Sequence, residues 1–346
     1  MMRVLAALWL AGLAACSNAA PTRPADVEPA STEPFSFVLT EAGTDAGLKF
    51  GRAEHLAEGL RWAEGPTWVD AEGGYLLFTD VPRATIWRYD ARDGARVVIE
   101  PSHGPDAGNP MGRGGANGLH VIPGGQMLVP DHGTRTLYQR DLATGSMTTL
   151  ASSFQKQPLN SPNDVVRHPS GTVYFTDPPY GLPDGDADER HAQDANGVYA
   201  LSLDGTITRV TASLNRPNGI VLSPEGDWLY VSNSERNAPV ILRILIRDDG
   251  TLDPRASGSG EVFRKWSPLE DGLNVLDGMA MAADGTLFAT GLNGFVVLSR
   301  DGEVLASARL DRPCANIAFG GPQRSELYVT CRDSLYRVPV NRTGLR

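Results

Sequence analysis

Five residues with oxygen-bearing side chains recur along this chain and could bind a metal ion together. They are Glu64, Asn117, Asn163, Asn218 and Asp277, at successive spacings of 53, 46, 55 and 59 residues. Any one of them could be a turn residue, since Asn and Asp are common in turns. Together, two carboxylates and two or three amide oxygens form a hard ligand set that suits Ca²⁺ or Mg²⁺ better than a soft transition metal. We therefore predict a central divalent metal site, with Ca²⁺ as the first choice and Mg²⁺, Mn²⁺ or Zn²⁺ as alternatives.

Each of these residues opens a stretch with the same organisation. A short apolar run is followed by a turn of Asp, Ser, Pro or Gly and then by a second apolar run, which is typical of a β-hairpin. A sixth stretch follows the same pattern but has Ala315 at the corresponding position. The six stretches span residues 63–80, 116–131, 162–177, 217–233, 276–291 and 314–331.

The period of this repeat predicts one four-stranded blade per unit, and hence an all-β, six-bladed β-propeller over residues 46–346. The inner strands of a propeller line one channel, so we expect the five polar side chains to meet at its mouth. Residues 51–60 precede the first repeat, and we expect them to complete the last blade. Cys314 and Cys331 stand at opposite ends of the last hairpin, where either a disulfide or two buried thiols is possible.

Four motifs at blade spacing resemble those of the gluconolactonase and regucalcin family, which includes a phosphotriesterase that hydrolyses diisopropyl fluorophosphate. The similarity covers roughly residues 50 to 340, and the segment YFTDPPYGL (174–182) is closest to bacterial gluconolactonase-like members. The motifs are Glu64-Gly65-Pro66, Ser161-Pro162-Asn163-Asp164, Pro217-Asn218-Gly219 and Asp277-Gly278-Met279.

The resemblance implies a metal-dependent lactonase that opens a sugar lactone. Carried over residue by residue, it places the metal ligands at Glu64, Asn163, Asn218 and Asp277. It also implies that Asp277 accepts a proton from the attacking water as general base, although Asp277 could be a ligand only. Asn117, Asn163 and Asn218 are expected to orient the substrate. His132, which ends the second strand of blade two, could contact the substrate or be a structural histidine.

The chain departs from animal regucalcins at one position: they carry an arginine two residues before the motif asparagine, where this chain has Ser161, so the resemblance does not identify the substrate. Neither G-x-S-x-G nor H-E-x-x-H occurs, which sets aside serine-hydrolase and zinc-protease mechanisms of those types.

The alternative function is a non-catalytic propeller that binds a ligand or partner and keeps calcium for stability. The acidic segment 182–194 lacks the glycine and final acid of an EF-hand and is interpreted as a solvated loop.

The remaining features concern location and partners. Residues 1–15 are typical of an export signal, and Leu13-Ala14-Ala15 before Cys16 resembles a bacterial lipobox. We therefore expect an exported periplasmic or cell-envelope lipoprotein anchored through Cys16, with a flexible tether over residues 16–45. The net charge of −10 argues against a nucleic-acid partner and against a polybasic membrane surface. A small-molecule lactone or ester is the expected partner.

Overall fold

The structure is a nearly all-β propeller of six blades, as the repeat predicts. It is a computed structural model that describes residues 34–105, 113–255, 258–267, 275–291 and 293–345. Within these ranges the chain forms six sheets of four or five strands, one β-ribbon, and one α-helix, α1 (Glu41–Asp45). Short 3₁₀ turns lie at Ala71–Gly73, Val81–Arg83 and Gly185–Ala187.

Each blade is an antiparallel sheet whose strands follow one another along the chain, except for one N-terminal strand in each of the last two blades. Blade one contains β3 (Ala63–Val69), β4 (Tyr75–Asp80), β5 (Thr85–Asp90) and β6 (Gly94–Ile99). Blade two contains β7 (His120–Ile122), β8 (Gln126–Asp131), β9 (Thr136–Asp141) and β10 (Met147–Ala151). Blade three contains β13 (Val165–Arg167), β14 (Val173–Asp177), β15 (Gly197–Leu201) and β16 (Ile207–Thr211). The ribbon β11 (Ser153–Phe154) and β12 (Gln157–Pro158) joins blades two and three.

Blades four to six repeat this arrangement, with two additional strands from the N-terminal part of the domain. Blade four contains β17 (Pro217–Leu222), β18 (Trp228–Asn233), β19 (Val240–Leu245) and β20 (Glu261–Lys265). Blade five contains β21 (Leu276–Met281), β22 (Leu287–Gly291), β23 (Gly294–Leu298), β24 (Val304–Arg309) and the added β1 (Ser36–Leu39). Blade six contains β25 (Asn316–Gly320), β26 (Glu326–Cys331), β27 (Ser334–Pro339) and the added β2 (Glu54–Ala57). The first strands of consecutive blades are neighbours in a ring that closes between β25 and β3.

The ring is closed by the N-terminal strand, which confirms the expectation for residues 51–60. Strand β2 pairs antiparallel with β27, so the last blade combines strands from both ends of the domain. Glu54 lies opposite Arg337, and their side chains form an ion pair at 2.7 Å. This closure pairs the outer edge of β27, which would otherwise be free to pair with another chain.

The expected tether extends too far, because residues 36–45 belong to the folded domain. Strand β1 pairs with β24 as a fifth strand of blade five, and Thr40 caps helix α1 through a hydrogen bond from Gly43 N to its Oγ1 at 3.1 Å. Phe35 is only 2% exposed and packs against Phe295 and Tyr336. Burial of this ring outweighs the polar composition of the surrounding segment.

The N-terminal predictions lie outside the described residues. This applies to the signal at residues 1–15, to Cys16 and to the tether up to residue 33, so the lipid anchor stays a prediction. In the part of the chain that the structure describes, no helix is both long and apolar enough to cross a bilayer.

Cys314 and Cys331 form a disulfide, which selects one of the two alternatives that the sequence left open. The two cysteines are separated by 17 residues and are both buried in the cluster between blades five and six. The bond therefore links the start of the inner strand of blade six to the end of its second strand.

Replacing both cysteines by alanine is expected to lower the free energy of unfolding by about 2–4 kcal/mol, because closing a loop of this length restricts the unfolded chain. Urea unfolding of the oxidised protein and of the Cys314→Ala, Cys331→Ala variant measures the effect. Reduced wild-type protein is the control and should approach the variant. Equal midpoints for oxidised and reduced wild-type protein would contradict a stabilising bond.

Candidate active site and metal centre

The five predicted polar residues meet at one end of the central channel. Glu64, Asn117, Asn163, Asn218 and Asp277 all line a cavity of about 840 Å³, and His132 lines it as well. Apart from Asp277, which is partly buried, each of these side chains is at most 5% exposed. The structure thus brings together every residue that the sequence proposed for the site.

The three asparagines form a hydrogen-bonded chain across the bottom of this cavity. Asn117 Nδ2 donates to Asn163 Oδ1 at 2.7 Å, and Asn163 Nδ2 donates to Asn218 Oδ1 at 2.6 Å. Asn218 Nδ2 donates to Ser234 Oγ at 2.8 Å, and Ser234 donates onward to the carbonyl of Leu276. Because a carbonyl oxygen has two lone pairs, Asn218 Oδ1 retains a lone pair after accepting this bond. Asn163 Oδ1, which also lies 3.2 Å from His132 Nε2, retains one in the tautomer whose Nε2 carries no proton.

The second strand of a blade positions the inner strand of the next one. The hydroxyls of Thr79, Thr176 and Ser232 donate to the carbonyls of Asn117, Asn218 and Asp277 at 2.9, 2.8 and 2.7 Å. Each donor is the next-to-last residue of its strand. The recurring Phe-Thr-Asp and Val-Ser-Asn sequences therefore carry the signal for the inter-blade bonds that fix the ring.

Glycines next to the ring residues allow the inner strands to approach closely. A Cβ at Gly65, which has a φ of +51°, would lie 2.2 Å from Asn117 O. A Cβ at Gly219 would lie 2.4 Å from Asp277 O. Side chains at these two positions would push neighbouring inner strands apart and widen the ring.

The two carboxylates of the ring repel each other in a buried setting. Burial raises the pKa of Glu64 from 4.5 to about 7, and the charge on Asp164 acts in the same direction, whereas a hydrogen bond from Gly65 N at 3.1 Å opposes it. Burial, followed by the charges on Glu64 and Asp164, raises the pKa of Asp277 well above its ordinary value. No basic side chain among the described residues forms an ion pair with Glu64 or Asp277, so no described cation neutralises these two carboxylates.

Asp164 lies next to the ring and adds a third buried carboxylate. It accepts hydrogen bonds from Val165 N at 2.9 Å and Ile220 N at 3.3 Å, and burial raises its pKa to about 7. The sequence motif contains Asp164, but its spacing did not indicate a role. Its charge strengthens the preference of this part of the channel for a cation.

The donor atoms fit a hard divalent cation. Asp277 Oδ1 and Asn117 Oδ1 are buried and accept no hydrogen bond from the described residues. No group of three or more His, Cys, Asp or Glu side chains suited to a metal occurs among those residues, so the candidate set here relies on amide oxygens beside two carboxylates. Glu64, Asn163, Asn218 and Asp277 can supply the ligands of a Ca²⁺ site.

His132 contacts the asparagine chain rather than standing alone at the rim. Its Nε2 lies 3.2 Å from both Asn163 Oδ1 and Asn117 Nδ2. Burial lowers its pKa from 6.5 to about 4, although the charge on Asp131 opposes this. The imidazole is therefore neutral near pH 7 and suited to hold the amides in place.

Tyr180 is a site residue that the sequence reasoning missed. It lines the cavity together with Ser234 and Asn218. Burial is the largest of the effects that raise the pKa of this hydroxyl, so it remains protonated and able to donate at neutral pH. Ser161 holds the loop that carries Tyr180, since its Oγ donates to Pro178 O at 2.6 Å and accepts from Gly181 N at 2.8 Å.

Comparison with known proteins agrees with this arrangement. Residues 62–332 match the family described as the SMP-30/Gluconolactonase/LRE-like region. A gluconolactonase from Zymomonas mobilis is 35% identical over 296 residues, which are 84% of this chain and 82% of that protein. A pentonolactonase from Haloferax volcanii is 25% identical over 277 residues, covering 78% of this chain and 81% of its own.

A solved structure shows the same fold. The gluconolactonase from Xanthomonas campestris superposes with a TM-score of 0.71 at 25% identity, and the match covers 87% of this chain and 93% of that one. The repeat, the ring of oxygen-bearing side chains and the family match over most of the propeller agree with one another. The chain belongs to the SMP-30/gluconolactonase/LRE-like family.

Proposed function

We propose that this protein is a metal-dependent lactonase that opens a sugar lactone in the cavity above Glu64 and Asp277. The observation that carries the proposal is a pair of carboxylates, Glu64 buried and Asp277 partly buried, that have no basic partner among the described residues and lie beside amide oxygens in an accessible cavity. The relatives named gluconolactonase and pentonolactonase support lactone hydrolysis as the reaction class.

Glu64, Asn163, Asn218 and Asp277 would hold the ion, and the all-oxygen set favours Ca²⁺. When bound, the cation supplies Lewis-acid polarisation of the lactone carbonyl and stabilisation of the developing oxyanion. Asn117 and His132 keep the amides of Asn163 and Asn218 oriented through the hydrogen-bonded chain. The site is thus arranged before the substrate arrives.

The proton transfers are assigned to Asp277. Its Oδ1, which has no hydrogen-bond donor among the described residues, takes a proton from the attacking water. The new C–O bond forms as the ring ester C–O bond breaks, and the proton passes to the departing ring oxygen to give the open hydroxy acid. The protonated hydroxyl of Tyr180 is placed to donate a hydrogen bond to the substrate.

A panel of aldonolactones, homoserine lactones and aryl esters, assayed with and without a chelator, tests the proposal. We expect an aldonolactone to be hydrolysed fastest and chelation to abolish the activity. If no compound is hydrolysed in a metal-dependent way, the protein is instead a binding propeller with a structural ion.

The stabilisation of the protein by Ca²⁺ should increase as the pH rises from about 4.5 to about 7. In the ion-free fold the raised pKa of Glu64 keeps this group protonated while the unfolded chain has already lost the proton, so stability falls across this interval. A bound ion that pairs with the Glu64 carboxylate favours its ionised form, so the folded protein no longer loses stability over this pH interval. Thermal unfolding at several pH values measures the stability of the protein with Ca²⁺ and with chelator, and the difference between the two is the stabilisation by the ion. A pH-independent difference would contradict binding at Glu64.

A further inference from the structure

The mouth of the cavity carries a concentration of positive charge. Arg113, Arg216 and Arg236 all line it, and among the described lining residues outside the ring only Glu235 is acidic. The chain as a whole has a net charge of −10, so the charge at the mouth is opposite in sign to that of the whole protein. Such a local reversal attracts anionic small molecules.

Arg216 is held firmly in place. Its guanidinium forms an ion pair with Asp186 and donates to Asn215 O at 3.1 Å, which leaves 27% of the side chain exposed. It lies two residues before Asn218, the position that Ser161 holds before Asn163. The acidic segment 182–194 therefore contributes Asp186, which holds an arginine that lines the cavity.

Arg113 and Arg236 have different surroundings from Arg216. Both are exposed, and neither guanidinium forms a hydrogen bond or ion pair within the part of the chain that the structure describes. The backbone of Arg113 is anchored, because its N–H donates to Gly181 O at 2.6 Å. Two guanidinium groups thus line the mouth with all their donors available to a ligand.

These arginines are exposed, whereas Glu64 and Asp277 in the same cavity are buried or partly buried. Glu64 and Asp277 belong to the ring at the start of the inner strands, whereas Arg113 and Arg236 belong to loops outside the strands. A volume of about 840 Å³ accommodates a substrate that is extended beyond one lactone ring. A substrate whose lactone carbonyl lies near Asp277 can therefore extend to the exposed arginines that line the same cavity.

We propose that the preferred substrate is a sugar lactone with a second, anionic group remote from the ester, and that Arg113 and Arg236 determine this specificity. This inference rests on the proposed lactonase function. The hydroxyls of a neutral sugar can be bound by neutral groups such as Tyr180, whereas planar guanidinium groups match the oxygens of carboxylate or phosphate.

The test compares three lactones with the metal-loaded enzyme: neutral gluconolactone, a glucarolactone that carries a carboxylate, and 6-phosphogluconolactone. We expect at least one anionic lactone to have the higher kcat/KM, and the two anionic compounds distinguish carboxylate from phosphate recognition. The ratio of anionic to neutral kcat/KM should fall on the order of tenfold in the Arg113→Gln, Arg236→Gln variant. It should also fall with added salt, which screens exposed charges.

Lys49→Gln is the matched control, because Lys49 is an exposed cation that does not line the cavity. It should leave the ratio unchanged. If gluconolactone is hydrolysed at least as well as both anionic lactones, or if the arginine variant keeps the wild-type ratio, the inference is overturned while the lactonase proposal stands. If none of the three is hydrolysed, both are overturned.

Discussion

Replacing Asp277 by asparagine is expected to lower kcat/KM for the best aldonolactone by at least about 100-fold, since general-base catalysis contributes factors of this size or larger. Asparagine preserves the shape and one oxygen but cannot take the proton from water. Asp277 is also one of two carboxylates at the bottom of the cavity, and its Oδ1 has no donor among the described residues. The variant therefore removes the base and one negative charge together.

Metal content must be measured on the same preparation to separate these effects. Equilibrium dialysis with Ca²⁺ reports occupancy, and kinetics at saturating Ca²⁺ report the catalytic defect. Asp301→Asn, which neutralises an exposed carboxylate in a turn of blade five, is the matched control and should behave as wild type. Full activity of Asp277→Asn with the ion bound would remove the general-base role and leave Asp277 as a ligand only.

Replacing Glu64 by glutamine is expected to have two effects of opposite sign. The affinity for Ca²⁺ should fall at least about tenfold, because the ligand set loses one of its two charges. The ion-free protein should become more stable at pH 7, because a buried and uncompensated carboxylate is removed. Calorimetric titration with Ca²⁺ and thermal unfolding in chelator measure the two effects separately.

Glu303→Gln provides the control, since Glu303 is an exposed carboxylate far along the chain from the ring. It should change neither quantity appreciably. A Glu64→Gln protein that binds Ca²⁺ as tightly as wild type would show that the ion, if it binds, is held elsewhere. If Glu64 had only a structural role, its replacement would not both lower the affinity for Ca²⁺ and raise the stability of the ion-free protein.

The fold and the ring could be predicted because they depend on a periodic signal. Equivalent positions in a propeller repeat must converge, so the register of the hairpins alone places Glu64, Asn117, Asn163, Asn218 and Asp277 together. The same register correctly places Cys314 near Cys331, and the pairing of β2 with β27 follows from the strands left over at the two ends.

Features without a repeat could not be predicted in this way. Strand β1 is a short apolar segment within a polar, proline-containing stretch, and only its packing against blade five reveals it. Tyr180 lines the cavity, and Asp186 pairs with Arg216, which lines it as well. Both residues lie in the loop between β14 and β15, where no periodicity connects sequence position with location. The arginines at the mouth belong to such loops as well, so sequence spacing predicts the ring of polar side chains but not the arginines above it.

The most direct test of the account is a titration of chelator-treated protein with Ca²⁺ in which ion binding and gluconolactone hydrolysis are recorded on the same samples. We expect one ion per chain at the catalytic site and activity that rises from background in proportion to its occupancy. Full hydrolysis by ion-free protein, or occupancy of the site without any gain in activity, would contradict a metal-dependent lactonase built on Glu64, Asn163, Asn218 and Asp277.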